Sequence, residues 1–146
     1  MRILYLHQYF VTPDMNGGTR SYEMARRFVR DGHEVNVVTS VRDGCGGRGW
    51  STRTVDGIRV HELPVAYSNR MSHRARMRAF AEFAVRAPAR AAAIGGDVVL
   101  ATSTPLTIAV PGAYAARRLG APMVFEVRDL WPELPVAVGA LRNPAL

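Results

Sequence analysis

Lysine is missing: all nineteen basic residues of the 146-residue chain are arginine. That gap closes several kinds of chemistry. A Walker-type phosphate loop sets a lysine on the phosphates, and Schiff-base and pyridoxal-phosphate enzymes need a lysine amine. Cysteine is nearly absent too. A lone Cys45 gives no disulfide framework and no paired-cysteine zinc site, and it reads as a bystander thiol of a reducing compartment. His33 reads as a turn residue, and His61 and His73 form no pattern with acids at metal-ligand spacing, so no metal site is expected. Long apolar runs are scarce. The longest uncharged stretch, Val98 to Ala116, has nineteen residues, nominally a bilayer span, but Pro105, Pro111 and Gly112 break it into strand, turn and helix. Met1 to Gln8 lacks the small-residue cleavage site of a signal peptide and reads as a first strand. The expected location is the cytoplasm.

What is present is the composition of one soluble globular domain, 48% hydrophobic and 21% charged. A chain of this length buries roughly two-thirds of its unfolded surface. Twelve acids leave a formal charge of +7, which by itself opens a role on nucleic acid or an anionic membrane.

The order of elements is more informative. Ile3 to His7 is an apolar strand run, followed by a polar loop with Pro13 and Gly17-Gly18. From Thr19 the pattern turns helical, with Tyr22, Ala25, Phe28 and Val29 on one face and Arg20, Glu23, Arg27 and Arg30 on the other. Thr19 or Ser21 is placed to cap its start, and Gly32 ends it. Val35 to Thr39 is a second β-branched run, and a glycine-rich loop from Asp43 to Gly49 follows. Ile58 to Leu63 makes a third strand. Ser72 to Ala87 is an alanine-rich helix expected to stop or kink at Pro88. Asp97 to Ala101 is a strand, Leu106 to Leu119 a helix ended by Gly120, and Met123 to Val127 a fifth strand. This alternation predicts an α/β fold, a Rossmann-like parallel sheet with helices on both faces, in one domain over residues 1–146.

In such sheets the loops at the carboxyl ends of strands build the ligand site. Four segments are thereby selected: Tyr9 to Gly18, Ser40 to Arg53, Thr102 to Pro105 and Arg128 to Glu133. A nicotinamide site does not fit, because no GxGxxG follows the first strand and the second ends in Thr39-Ser40 rather than a ribose-binding acid. Gly17 and Gly18 open a helix, where bare N–H groups attract anions, and Arg20 in the first turn can fork onto a phosphate; a plain tight turn with a solvated Arg20 is the competing reading. Glu126 within an apolar strand is costly unless paired, with Arg128 or Arg20 as partner. Asp129 stands where a carboxylate can orient a hydroxyl or act as a base, or else cap a helix. Trp131 either stacks on a sugar or caps the core.

Ile3-Leu-Tyr-Leu-His-Gln-Tyr-Phe10, Pro13, Gly17 to Glu23, Gly32-His-Glu-Val35 and Asp129-Leu-Trp-Pro-Glu133 together resemble the N-terminal domain of family 4 glycosyltransferases. These are retaining, nucleotide-sugar-dependent enzymes of GT-B architecture, and the nearest in pattern are bacterial surface-polysaccharide transferases. The resemblance runs from Met1 to about Ala145 and is least distinctive between Gly44 and Ala93. It implies an acceptor-side domain facing a separate nucleotide-sugar domain, which 146 residues do not contain, so the chain alone is expected to be inactive. Carried onto matching positions, Gly17, Gly18 and Arg20 approach the donor diphosphate. His7, Ser103, Thr104 and Glu133 line the acceptor cleft, and Arg128 and Asp129 stand at the chemistry. Many members have histidine where Arg128 stands. Arginine is no base at neutral pH, so that role passes to Asp129 or a backbone group. The donor is a nucleotide sugar, the acceptor a glycan or lipid-linked, and no cofactor is held tightly.

Arg74, Arg78, Arg86 and Arg90 recur in steps of four, with Glu82 in the missing step. A spacing of four drifts only about 40° per step, so Arg74 to Arg86 form one stripe. Either this is a solvated face or, as the resemblance implies, a membrane-facing surface that brings the protein to the inner face of the membrane. The alternative in another class is a non-catalytic module using this basic surface for anionic membrane or nucleic acid. The transferase reading expects no nucleic acid. A response-regulator-like domain lacks the acidic cluster it would need after the first strand.

Overall fold

Apolar runs of strand length alternate with one-faced helices, and the chain folds accordingly. The computed structural model describes residues 1–41, 49–68 and 71–128. In chain order they form β1 (Arg2–Leu6), α1 (Arg20–Arg30), β2 (Glu34–Val41), β3 (Ser51–Val55), β4 (Ile58–Pro64), α2 (His73–Ile94), β5 (Val98–Thr102), a single 3-10 turn (Leu106–Ile108), α3 (Ala109–Leu119) and β6 (Met123–Glu126). The six-stranded sheet has the order β3-β4-β2-β1-β5-β6. All pairings are parallel except β3 with β4.

Alternation along the central strands sends side chains to two cores. Leu4, Leu6, Val38, Leu63, Val99 and Ala101 pack beneath α2 and α3, against Ala79, Phe83, Ala87, Ala91 and Ala115. Ile3, Tyr5, Val35, Val37, Ile58 and Val60 pack beneath α1, against Tyr22 and Ala25. Helices therefore lie on both faces, as the Rossmann-like expectation holds. On the α1 face β5 and β6 are left with an apolar groove of about 440 Å³, lined by Met24, Phe28, Val98, Leu100 and Val124 and ending at Glu126.

Three local expectations need correction. The strand β3 was not anticipated. It is an antiparallel edge strand, joined to β4 by Asp56-Gly57, whose positive φ angles of 48° and 80° belong to a two-residue hairpin turn. The helix from Ser72 neither stops at Pro88 nor loses its face there. It runs on to Ile94 with Pro88 inside it, because Phe83, Ala84, Ala87 and Ala91 stay buried on both sides of the proline. One missing N–H is outweighed by that continuous apolar face. Thr19 does sit at the N-cap of α1, but no side-chain hydrogen bond caps that helix. Ser72 caps α2, its Oγ accepting from the Ala75 N–H at 3.3 Å.

Candidate functional site at the carboxyl edge

The connection from β1 leads to β2 on one side, while β5 lies on β1's other side. The order therefore reverses between β1 and β5, the place where open α/β sheets form their ligand crevice. His7 leaves β1 at this point, buried, with its N–H donated to the Val38 carbonyl at 3.1 Å. Gln8 follows, fully buried. Its backbone carbonyl accepts from the Ser40 hydroxyl at 2.7 Å, and its side-chain amide donates to the Ala79 carbonyl at 3.3 Å. The start of the β1 loop is thus fixed to both β2 and α2.

Toward α2 the wall is aromatic. Tyr9 and Tyr67 have ring centroids 4.3 Å apart, and Tyr67 stacks on Phe80 at 6.1 Å. Tyr67 and Phe80 are half-buried, so each offers part of a ring to solvent. This wall went unread in the sequence because its three rings come from two loops and a helix.

On the other side stands a polar cluster. Arg20, the first residue of α1, donates from Nη2 to Glu126 Oε1. The Thr102 hydroxyl donates to the other carboxylate oxygen. The Ser103 N–H donates to the Glu126 carbonyl at 2.9 Å, and the Arg128 N–H donates to Ser103 Oγ at 2.8 Å. Of the two partners open to Glu126, the side chain takes Arg20. Glu126 and Thr102 are the hub, although neither was singled out as a site residue. A glutamate in an apolar strand was the signal that pointed there.

The remaining candidates distribute as follows. Gly17 has φ of 143°, and a Cβ there would meet Val11 Cγ2 at 3.1 Å; a Cβ on Gly18 would meet nothing within 4 Å. Gly17 thus serves the turn, and Gly18 faces open space beside the start of α1. Ser103 is buried with its hydroxyl engaged, whereas Thr104 is exposed. Asp129, Trp131 and Glu133 lie outside the described residues, as does Cys45. No group of histidine, cysteine or acid side chains that could hold a metal ion occurs among the described residues.

On α2, Arg74 and Arg78 are exposed, but Arg86 is half-buried and donates to Glu82 Oε1 at 2.7 Å. Arg90 turns inward, over Trp50 and against His61. The four-step stripe therefore reduces to Arg74 and Arg78, flanked by Met77 at 47% and Val85 at 79% exposure. No helix among the described residues is long and apolar enough to cross a membrane.

His61 belongs to a second cluster, below β3. It is buried, and burial, with Arg90 and then Arg59 nearby, pushes its pKa from 6.5 down to about 4. Arg90 can only donate, so the neutral ring accepts at Nδ1, from Arg90 at 3.3 Å and the Thr52 hydroxyl at 3.0 Å. Its Nε2–H then donates to Asn36 Oδ1 at 3.2 Å. The Asn36 amide donates to Glu34 at 3.1 Å, and Arg59 donates to the same carboxylate at 2.6 Å.

A doubly covered, mostly parallel sheet with hydroxyls, glycines and arginines near its switch point defines an α/β domain of the Rossmann-like kind, whose ligand crevice in general lies at the carboxyl edge. The family described as Glycosyl transferase 4-like domain matches residues 17–146, and the chain belongs to it. No curated protein matches the chain. Among solved structures, the chain is similar in fold to the C-terminal domain of a hydrogenase from Pyrococcus furiosus. Two crystal structures of it have TM-scores of 0.58 at 14% identity, covering 86% of this chain and 89% and 90% of those chains. At that identity the likeness concerns the fold alone.

Proposed function

We propose that this glycosyltransferase 4-like domain is the acceptor-side half of a retaining, nucleotide-sugar-dependent transferase of the surface-polysaccharide type. It receives a glycan or lipid-linked acceptor and works opposite a nucleotide-sugar domain, without a tightly held cofactor. The observation that carries the reading is the set of side chains at the carboxyl edge around the β1/β5 switch point in a member of this family. An aromatic wall of Tyr9, Tyr67 and Phe80 stands on one side of that point, and the Arg20–Glu126–Thr102–Arg128 cluster on the other. Half-exposed rings suit the apolar face of a sugar. Gly18 leaves the backbone open to a diphosphate, whose departure creates an oxocarbenium-like transition state that nearby fixed charges and dipoles stabilise. His7 and Thr104 border the acceptor, and Asp129 is assigned to the acceptor hydroxyl.

The chain alone, incubated with nucleotide sugars and an acceptor, is expected to transfer no sugar. With a nucleotide-sugar domain supplied, transfer is expected to retain the anomeric configuration, read by proton NMR of the product. Transfer by the chain alone, or inversion, contradicts the proposal. The exposed Arg74, Met77, Arg78 and Val85 support peripheral contact with anionic lipid on the cytoplasmic side. Co-sedimentation with vesicles should rise with anionic lipid and fall with salt, and binding indifferent to both removes that contact.

A further inference from the structure

The two arginines at the site's charged end are not equivalent. Arg20 is bound to Glu126, whose second oxygen already holds the Thr102 hydroxyl. The Glu126 side chain is only 22% exposed, against 57% for Arg20, so releasing the arginine strands a largely shielded carboxylate. A phosphoryl group brought to Arg20 also meets Glu126, and attraction and repulsion from two opposite charges a few ångström apart nearly cancel. Arg128 differs. Its backbone is pinned by Ser103 Oγ, yet no ion pair joins its guanidinium to any acid among the described residues.

All three charged groups act on one point, the Tyr5 hydroxyl. Burial raises its pKa, the Ser21 hydrogen bond lowers it, Glu126 adds to the rise, and Arg128 and Arg20 oppose it. Two positive charges and one negative thus act on the same buried hydroxyl. Among the described residues, the one without an acid partner belongs to Arg128.

We propose that Arg128, not Arg20, receives an anionic phosphoryl group at this edge, and that Arg20 is a positioning strut tying the start of α1 to β5 and β6 through Glu126. The inference rests on the transferase reading above and reassigns the cation within it. The phosphoryl group could come from the donor diphosphate or from a phospho-linked acceptor, and the two sources are separable by probe.

The test is calorimetric titration of the 146-residue chain with inorganic pyrophosphate, with uridine diphosphate and geranyl phosphate as separate arms for the two sources. Arg128→Gln should weaken pyrophosphate binding by about tenfold or more, with Arg128→Lys retaining most of it as a point charge. Arg20→Gln should change binding by less than about threefold while lowering the melting temperature. Glu126→Gln should tighten binding, because Arg20 then adds its charge, and that gain should vanish in the Glu126→Gln/Arg20→Gln double variant. A purely structural role for the pair would not move affinity in this pattern. Should Arg20→Gln abolish binding while Arg128→Gln spares it, the inference fails and the diphosphate reading of the edge survives. Absence of pyrophosphate binding in every form overturns both.

Discussion

Two polar clusters sit on this sheet, and they are built to opposite ends. Around His61, the hydrogen bonds run between neighbours on three strands and α2: Arg90 and Thr52 reach one ring nitrogen, Asn36 the other, and Glu34 holds both Asn36 and Arg59. Around Glu126, the carboxylate is just as fully used, but Arg128 beside it keeps a charge that no described acid answers. A closed cluster fixes strand register. A cluster with one charge unanswered among the described residues is the one the proposal above assigns to an anion.

The sharpest way to break this distinction is to remove His61. His61→Ala leaves Asn36 and Arg90 without their buried partner and should cost about 2–4 kcal/mol, read as a shift in urea midpoint. A loss below about 0.5 kcal/mol would mean that the cluster is not closed in the sense used above. Glu126→Gln comes next, at about 1–2 kcal/mol, since it weakens one charge-assisted bond while leaving the site's backbone bonds intact.

The His61 cluster also carries a pH signature. The folded His61 pKa of about 4 lies below the ordinary 6.5, so the unfolded chain binds a proton that the folded ring refuses. Its contribution is fully present above pH 6.5 and is lost as pH falls toward 4, at up to about 1.4 kcal/mol per pH unit. His61→Gln should flatten the stability curve over that window, and an unchanged slope would show that the ring protonates without cost. Smallest is Gly18→Ala, which meets open space and should leave stability within about 0.5 kcal/mol. A bulky Gly18→Phe should weaken donor use in the two-domain enzyme by blocking the close approach.

Much of this was legible in the sequence, for identifiable reasons. Five strands and three helices followed from apolar periodicity and from glycines after helices, such as Gly120. The carboxyl-edge segments followed from the topology rule, and a partner for Glu126, though not the choice of Arg20 over Arg128, from the cost of an unpaired acid in a strand. The strand β3 was missed even though Thr52 and Thr54 flank a residue of opposite facing and Asp56-Gly57 is a strong hairpin signal; the glycine-rich loop before it masked both. Pro88 misled because a missing hydrogen bond is local, while the apolar face that overrides it spans the helix. The His61 cluster could not be read along the chain, since only the register of β2, β3 and β4 brings Asn36, Thr52 and His61 together.

The comparison is tested most directly by following backbone amides in nuclear magnetic resonance spectra of the 146-residue chain as pyrophosphate is added. The account predicts saturable shifts at Gly17, Gly18, Ser103 and Arg128, with Asn36, Thr52 and His61 unmoved. Shifts centred on the His61 cluster, or none that saturate at the carboxyl edge, would contradict it.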